Sequence, residues 1–238
     1  MAEGLGERWP ATALAWVAAG QARFERAVAE CSDLREPSRL PGWTRGHVVT
    51  HVARNAEGLV RLLTWARTGI ETPMYPSLQA RAADIEAGAG RPQAEQLNDL
   101  RSTGAAFATA TQQLSPEHWA ATVRHRHGLV SASTVPWMRV REVWLHLVDL
   151  DAGVELDVLP EDIATALVRD VAGWMETRVP TRIELRIPGT EPVTFGPENS
   201  ARVPVSGPVQ ELAGWLTGRS HGDRLTAPDG LPELPHWL

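Results

Sequence analysis

The sequence predicts an α+β protein, with a helical N-terminal region followed by a small mixed C-terminal segment. Three observations lead there. Up to about Arg178, apolar residues recur at helical spacing between Pro and Gly breaks. At "TRIELRIPG" the period changes to two, with Ile183, Leu185 and Ile187 on one face of a strand. The chain has 238 residues, enough for two modest domains. The expected division is therefore 1–178 for the helical region and 179–238 for the α+β region.

The elements follow in order. Pro10 suits a first helical turn, and "ATALAWVAAGQARFERAVAE" continues that helix. After the connector "EPSRLPGW", Thr44 is placed to cap "TRGHVVTHVARNAEGLVRLLTWARTG", which Gly69 ends. The loop "IETPMYPS" leads to a short helix, "LQARAADIEAGA", and then to a longer one behind Pro92. Ser115-Pro116-Glu117 opens a further short turn. "WAATVRHRHGLVSAST" has β-branched residues and no helical stripe, so irregular structure with some extended backbone is expected. "VPWMRVREVWLHLVDLDAG" is helical to Gly153, and Pro160 starts another helix. "EPVTFG" and "ARVPVSG" are short strands, "GPVQELAGWLTG" is a helix that Ser206 caps, and a brief strand precedes a Pro-rich tail.

Composition narrows the class. Apolar residues at 43% and charged residues at 22% fit a globular chain and not a disordered one. A net charge of -6 excludes the basic footprint of a nucleic-acid binder. All positive side chains are Arg, the cation suited to bidentate carboxylate recognition, although a GC-rich coding bias explains most of that usage. The ten Trp fit helices that bury large flat surfaces. Cys31 is the single cysteine, so no internal disulfide forms. No basic leader precedes an apolar run, and no apolar stretch is long enough for a membrane span. A cytoplasmic, monomeric protein is the expectation.

One helix is polar in the wrong place. Trp137, Val140, Val143, Trp144, Leu147, Val148 and Leu150 cover most of its circumference, so it is expected to be buried. A narrow stripe of Met138, Glu142, His146 and Asp149 runs along it, with Glu142 and His146 one turn apart. An unpaired carboxylate there costs several kcal/mol, by order of magnitude. On the second helix His47, His51, Asn55, Gly58 and Leu62 share a face. Glu142 and His146 with one of these histidines make a set of two His and one carboxylate, which zinc accepts with a coordination position left open. Such sets also suit iron, nickel or manganese. Spacing leaves His47 and His51 as alternatives. His125 and His127 in "RHRHG" read as a solvated turn, and His221 and His236 as connector residues.

The stretches "LPGWTRGHVVTHVARNAEGL", "TWARTGIETPMYPSLQARAADIEAG" and "TVPWMRVREVWLHLVDLDAG", with the C-terminal "GRSHGDRL" and "PELPHWL", resemble the mycothiol-dependent maleylpyruvate isomerases. These belong to the DinB-like group of metal-dependent thiol transferases. The resemblance implies an N-terminal four-helix bundle with a zinc site and a small α+β domain behind it. It implies His51, Glu142 and His146 as ligands, which settles the choice against His47, and it implies a catalytic role for Arg219. It further implies a cis enol-diketo dicarboxylate, the ring-opening product of gentisate in aromatic degradation, as substrate. Mycothiol or another small thiol is then the regenerated cosubstrate, since addition of a thiolate makes the double bond single and permits rotation. Arg219 is the first choice for holding a carboxylate. Arg81 and Arg139 are further candidates for binding substrate or thiol, each with a solvated surface role as an equal reading. Asn55 is placed to orient a ligand or the thiol's amides, or else to pack locally. Trp43 either lines the site or staples the start of the second helix. Two other readings remain: an S-transferase that leaves a stable thiol adduct on a different electrophile, and a structural zinc module, against which the three-ligand set argues.

Overall fold

The computed structural model describes residues 9–125 and 128–237, so His127 of the "RHRH" pair lies outside the described residues. The chain divides into two compact units, Ala2–Val154 and Glu155–Leu238.

The first unit is helical. Helix α1 (Trp9–Glu30) buries Ala13, Val17, Phe24 and Val28, one stripe at helical spacing. Gly20 interrupts the stripe to admit Trp144. A Cβ there would lie 2.6 Å from the indole Nε1, which donates to Trp16 O at 2.9 Å. Helix α2 (Arg45–Thr68) begins at a capping box in which a histidine takes the usual Glu or Gln position. Thr44 Oγ1 accepts from His47 N–H, and Thr44 N–H donates to His47 Nδ1 at 3.1 Å. Gly69, at φ 73°, closes the helix with its N–H on Trp65 O. Helix α3 (Leu78–Ala89) is capped by Ser77, and α4 (Gln93–Gln112) follows Pro92. Ser115 caps the short α5 (Pro116–Ala120).

Strands β1 (Thr122–His125) and β2 (Gly128–Ser131) form an antiparallel hairpin where irregular structure with some extended backbone was expected. Four-residue strands with only Val123 fully buried are too short to show an alternating pattern. Helix α6 (Val135–Asp149) stops before the expected Gly153, because Asp151 takes φ 54° and turns the chain. Its last carbonyls are not left bare. Arg39 N–H donates to Asp149 O, Arg45 Nε to Leu150 O and Arg45 Nη2 to Asp151 O. Helices α1, α4, α2 and α6 close a ring of pairwise packing, with α3 laid against α2. This ring sets α2 and α6, the two helices with polar lines, side by side.

The second unit contains α7 (Glu161–Met175), strands β3 (Arg182–Arg186), β4 (Val193–Phe195) and β5 (Arg202–Ser206), and α8 (Val209–Leu216). The sheet order is β4-β3-β5, with β3 antiparallel to β4 and parallel to β5. Ile183, Leu185, Phe195 and Val205 form its buried face. Helix α7 packs on α8 and β4 through Ile163, Leu167, Val171 and Met175. The break between units thus falls at 154/155 and not at the expected 178/179. A helical stripe shows that a face is buried but not which element covers it. Ser206 does not cap α8: Pro208 precedes that helix, and Ser206 pairs through its backbone with Thr226, where the brief strand was expected.

Candidate metal centre

His51 of α2 and Glu142 and His146 of α6 come together, their ligand atoms all within 4.8 Å of one another. The two imidazoles meet edge to face, with centroids 4.8 Å apart. Glu142 Oε2 lies 2.9 Å from His51 Nε2 and 3.3 Å from His146 Nε2. Yet this oxygen is buried and, among the described residues, accepts no hydrogen bond of sound geometry. A cation at about 2.0–2.1 Å from each donor in tetrahedral arrangement would set neighbouring donors about 3.3 Å apart. The orphaned oxygen and the converging Nε2 atoms therefore fit a divalent metal.

Each imidazole is oriented from behind. His146 Nδ1 donates to Asp149 Oδ2 at 2.8 Å, and Asp149 is only 1% exposed. This is the carboxylate–histidine pairing that turns Nε2 toward a metal. Arg81 Nη2 lies 3.0 Å from His51 Nδ1. Because arginine only donates, Nδ1 accepts and the neutral ring carries its proton on Nε2, facing Glu142. A cation bound at Nε2 would shift this proton to Nδ1 and displace the Arg81 contact. Trp43 packs edge-on against His51, centroids 5.5 Å apart, and stacks on His47.

The electrostatics follow from burial and charge. Burial dominates at His51 and pushes its pKa down to about 4, although Glu142 pulls the other way. Burial also opposes the charged form of His146, but the Asp149 hydrogen bond and the Glu142 carboxylate overcome it and raise that pKa to about 9. Burial raises Glu142 as well, and its close charge and polar contacts with His51 and His146 more than cancel this, holding the carboxyl well below its ordinary range. At pH 7.5 the metal-free centre thus carries one proton in excess of two neutral imidazoles, on His146, beside an ionised Glu142. Metal needs that nitrogen deprotonated, so uptake is expected to release about one proton per cation. Affinity should rise tenfold per pH unit from about pH 6 and level off near the His146 value. Titration calorimetry in buffers of different ionisation enthalpy counts the proton, and a count near zero or two contradicts the assignment. Asp149→Asn, which keeps the shape but removes the charge behind His146, should weaken metal binding by about 10- to 100-fold in a chelator competition.

The remaining predicted residues fall as follows. His47 has Nδ1 on Thr44 and Nε2 3.1 Å from Glu86, so both nitrogens are engaged away from the centre. Asn55 is buried, and its Oδ1 accepts from Arg139 Nη1 at 3.1 Å. Arg139 is 0% exposed, which corrects the surface reading of that residue. Its guanidinium also donates to Val52 O at 2.7 Å and to Gln21 Oε1 at 2.8 Å, tying α6 to α2 and α1. Burial lowers its pKa to about 10, which leaves it charged at neutral pH. Arg81 reaches the centre through His51, as above. Arg219 follows α8 in the second unit, where Nη1 donates to Thr217 O at 3.0 Å. The loop carrying it is held by buried Glu211, which accepts from Ser220 Oγ and from Arg224 Nε. His221 and His236 are exposed. Buried Cys31 donates to Asp33 O at 3.6 Å and receives a long contact from Arg45 Nη1, 3.8 Å from Sγ. Sequence reasoning missed Tyr75 of the "IETPMYPS" loop. Its one available sign was Gly58, a vacancy on the polar line of α2.

Among the described residues no helix is long and apolar enough to cross a membrane. Comparison with curated proteins gives no match. A crystal structure of the mycothiol-dependent maleylpyruvate isomerase is similar over 96% of this chain and 97% of that one, with a TM-score of 0.86 and 31% identity. A histidine-to-alanine mutant described under the same name matches with the same TM-score and coverage at 30% identity. The family model described as the mycothiol maleylpyruvate isomerase N-terminal domain matches residues 17–151, which hold all three residues of the centre. The protein is an enzyme, and it belongs to the mycothiol maleylpyruvate isomerase family.

Proposed function

We propose that the enzyme converts maleylpyruvate to fumarylpyruvate, with mycothiol or a similar small thiol as regenerated cosubstrate. The observation that carries this reading is the buried Glu142 Oε2, which accepts no well-aligned hydrogen bond yet faces two imidazole Nε2 atoms at 2.9 and 3.3 Å, in a chain of this family. We read the ring of α1, α4, α2 and α6 as a DinB-like four-helix bundle, a setting in which facing helices supply metal ligands.

His51, Glu142 and His146 would hold the cation, most simply Zn2+, and as a three-donor set they leave one coordination position for an exogenous ligand. When bound there, the cation supplies Lewis acidity that lets a thiol react as thiolate near neutral pH. The chain's own groups do the rest. Asp149 fixes the His146 ring and stabilises positive charge on it. Trp43 screens His51 from water. Arg81 brings a cation to the site, suited to an anionic substrate. Arg219 is proposed as the arginine that holds a substrate carboxylate, its loop fixed by Glu211.

In the reaction a carbon–sulfur bond forms at the conjugated carbon, and the displaced π pair moves onto a carbonyl oxygen. The former double bond rotates as a single bond. The pair then returns, sulfur leaves and the thiol is restored, so nothing is consumed. A thiol-dependent reaction also suits a reducing compartment, consistent with the cytoplasm. The test is an isomerisation assay with metal and thiol each present or withheld. Product is expected only when both are present. Full activity without thiol overturns the reading, and a stable thiol adduct as end product would make the enzyme an S-transferase.

A further inference from the structure

The loop between α2 and α3 carries a group that the centre described above does not use. Tyr75, the one tyrosine in the chain, is only partly buried as a residue. Its hydroxyl, however, is wholly buried and, among the described residues, makes no well-aligned hydrogen bond, the Arg81 guanidinium being near enough to interact with it. A tyrosine at a half-exposed position ordinarily buries its ring and turns Oη to water. Here the arrangement is reversed, and an unpaired buried hydroxyl costs about 1–3 kcal/mol.

The fold holds it there from two sides. Gly58, two turns beyond His51 on the same face of α2, is where the loop lies down. A Cβ at Gly58 would come within 3.3 Å of Tyr75 Cζ and 3.2 Å of Met74 Cε. Arg61 Nη1 fixes the loop by donating to Met74 O at 3.1 Å. On the other side the Arg81 guanidinium, which bonds His51, lies 5.8 Å from the Tyr75 ring centre. Burial, and then the charge of Glu142, raise the phenol's pKa against the opposing pull of Arg81, so Oη keeps its proton and acts as a neutral donor.

We propose that Tyr75 Oη donates a hydrogen bond to the substrate oxygen that becomes negative when the thiolate adds, with the Arg81 cation beside it. The inference rests on the isomerase reading. The phenol gives no proton away: it stabilises the displaced electron pair on oxygen until that pair returns and sulfur departs. The unpaired hydroxyl is then a donor held ready for charge that appears only during the reaction.

The test is Tyr75→Phe in the metal-loaded enzyme, read by kcat, KM, metal content and melting temperature. The expected result is a fall in kcat of about a hundredfold, the usual effect of losing one such donor. KM for both substrates and metal content should stay the same. The melting temperature should hold or rise, because the variant removes an unpaired buried group, whereas a merely structural tyrosine would lower it. Gly58→Ala, which crowds the ring without deleting the hydroxyl, should also lower kcat and covers the case of a poorly folding Phe variant. An unchanged kcat beside an active wild type overturns the role of Tyr75 alone, as does an effect confined to thiol KM or to metal content. A wild type with no thiol-dependent isomerase activity overturns the isomerase reading, and this inference with it.

Discussion

Replacing Glu142 by Gln is expected to strip the enzyme of its cation and to cut thiol-dependent turnover by about a thousandfold or more. The amide keeps the size of the side chain and removes the only negative charge among the three donors. Oε2 accepts no well-aligned hydrogen bond, so the substitution breaks none there. What remains is two imidazoles, one of which prefers its proton on account of Asp149. A loss of several kcal/mol in charge stabilisation, at about 1.4 kcal/mol per decade, gives the stated factor. Metal analysis and an isomerase assay on the purified variant check it, and circular dichroism should show the helices intact. A variant that retains a full complement of metal would remove Glu142 from the centre.

The largest effect on stability is expected from Arg139→Ala. The side chain is fully buried and bridges three helices through Val52 O, Asn55 Oδ1 and Gln21 Oε1. Truncation leaves a cavity of several methylene groups and frees two side-chain acceptors in the interior. Cavities of that kind cost about 2–5 kcal/mol, and each unsatisfied acceptor adds about 1 kcal/mol or more. Part of this is returned, because burying the cation is itself unfavourable, as the lowered pKa shows. A net loss of about 3 kcal/mol follows, or roughly 10 °C in the melting temperature of the N-terminal unit. A thermal scan that shifts by less than about 2 °C would mean that the guanidinium is dispensable to packing.

Arg139 also marks how far the sequence could be read. Helix ends were legible because their chemistry is local: Thr44 caps α2, Gly69 ends it, and Pro10 and Pro92 start helices. The polar stripe on α6 was legible because Glu142 and His146 stand out against an apolar wheel. The choice of His51 over His47 was not available from spacing, since both lie on one face. In the structure His47 serves the capping box, a use that depends on Thr44 and Glu86. Arg139 looked like a surface arginine one position off the stripe. Its burial depends on acceptors from α1 and α2, more than eighty residues away in the chain. Asp149 was visible on the stripe, but its grip on His146 Nδ1 is a matter of rotamer and not of period. Tyr75 lies in a loop with no periodicity at all, and α7 carries a stripe that names no partner. Each of these misses concerns a contact between segments distant in sequence, which local pattern does not encode.

The central claim is that two imidazoles and one carboxylate form the protein's share of a metal site. X-ray absorption at the metal edge of the loaded enzyme, taken without thiol, tests it most directly. The account predicts two imidazole ligands, the other positions filled by oxygen, and no sulfur from Cys31. A spectrum showing sulfur, or three or more imidazoles, would contradict it.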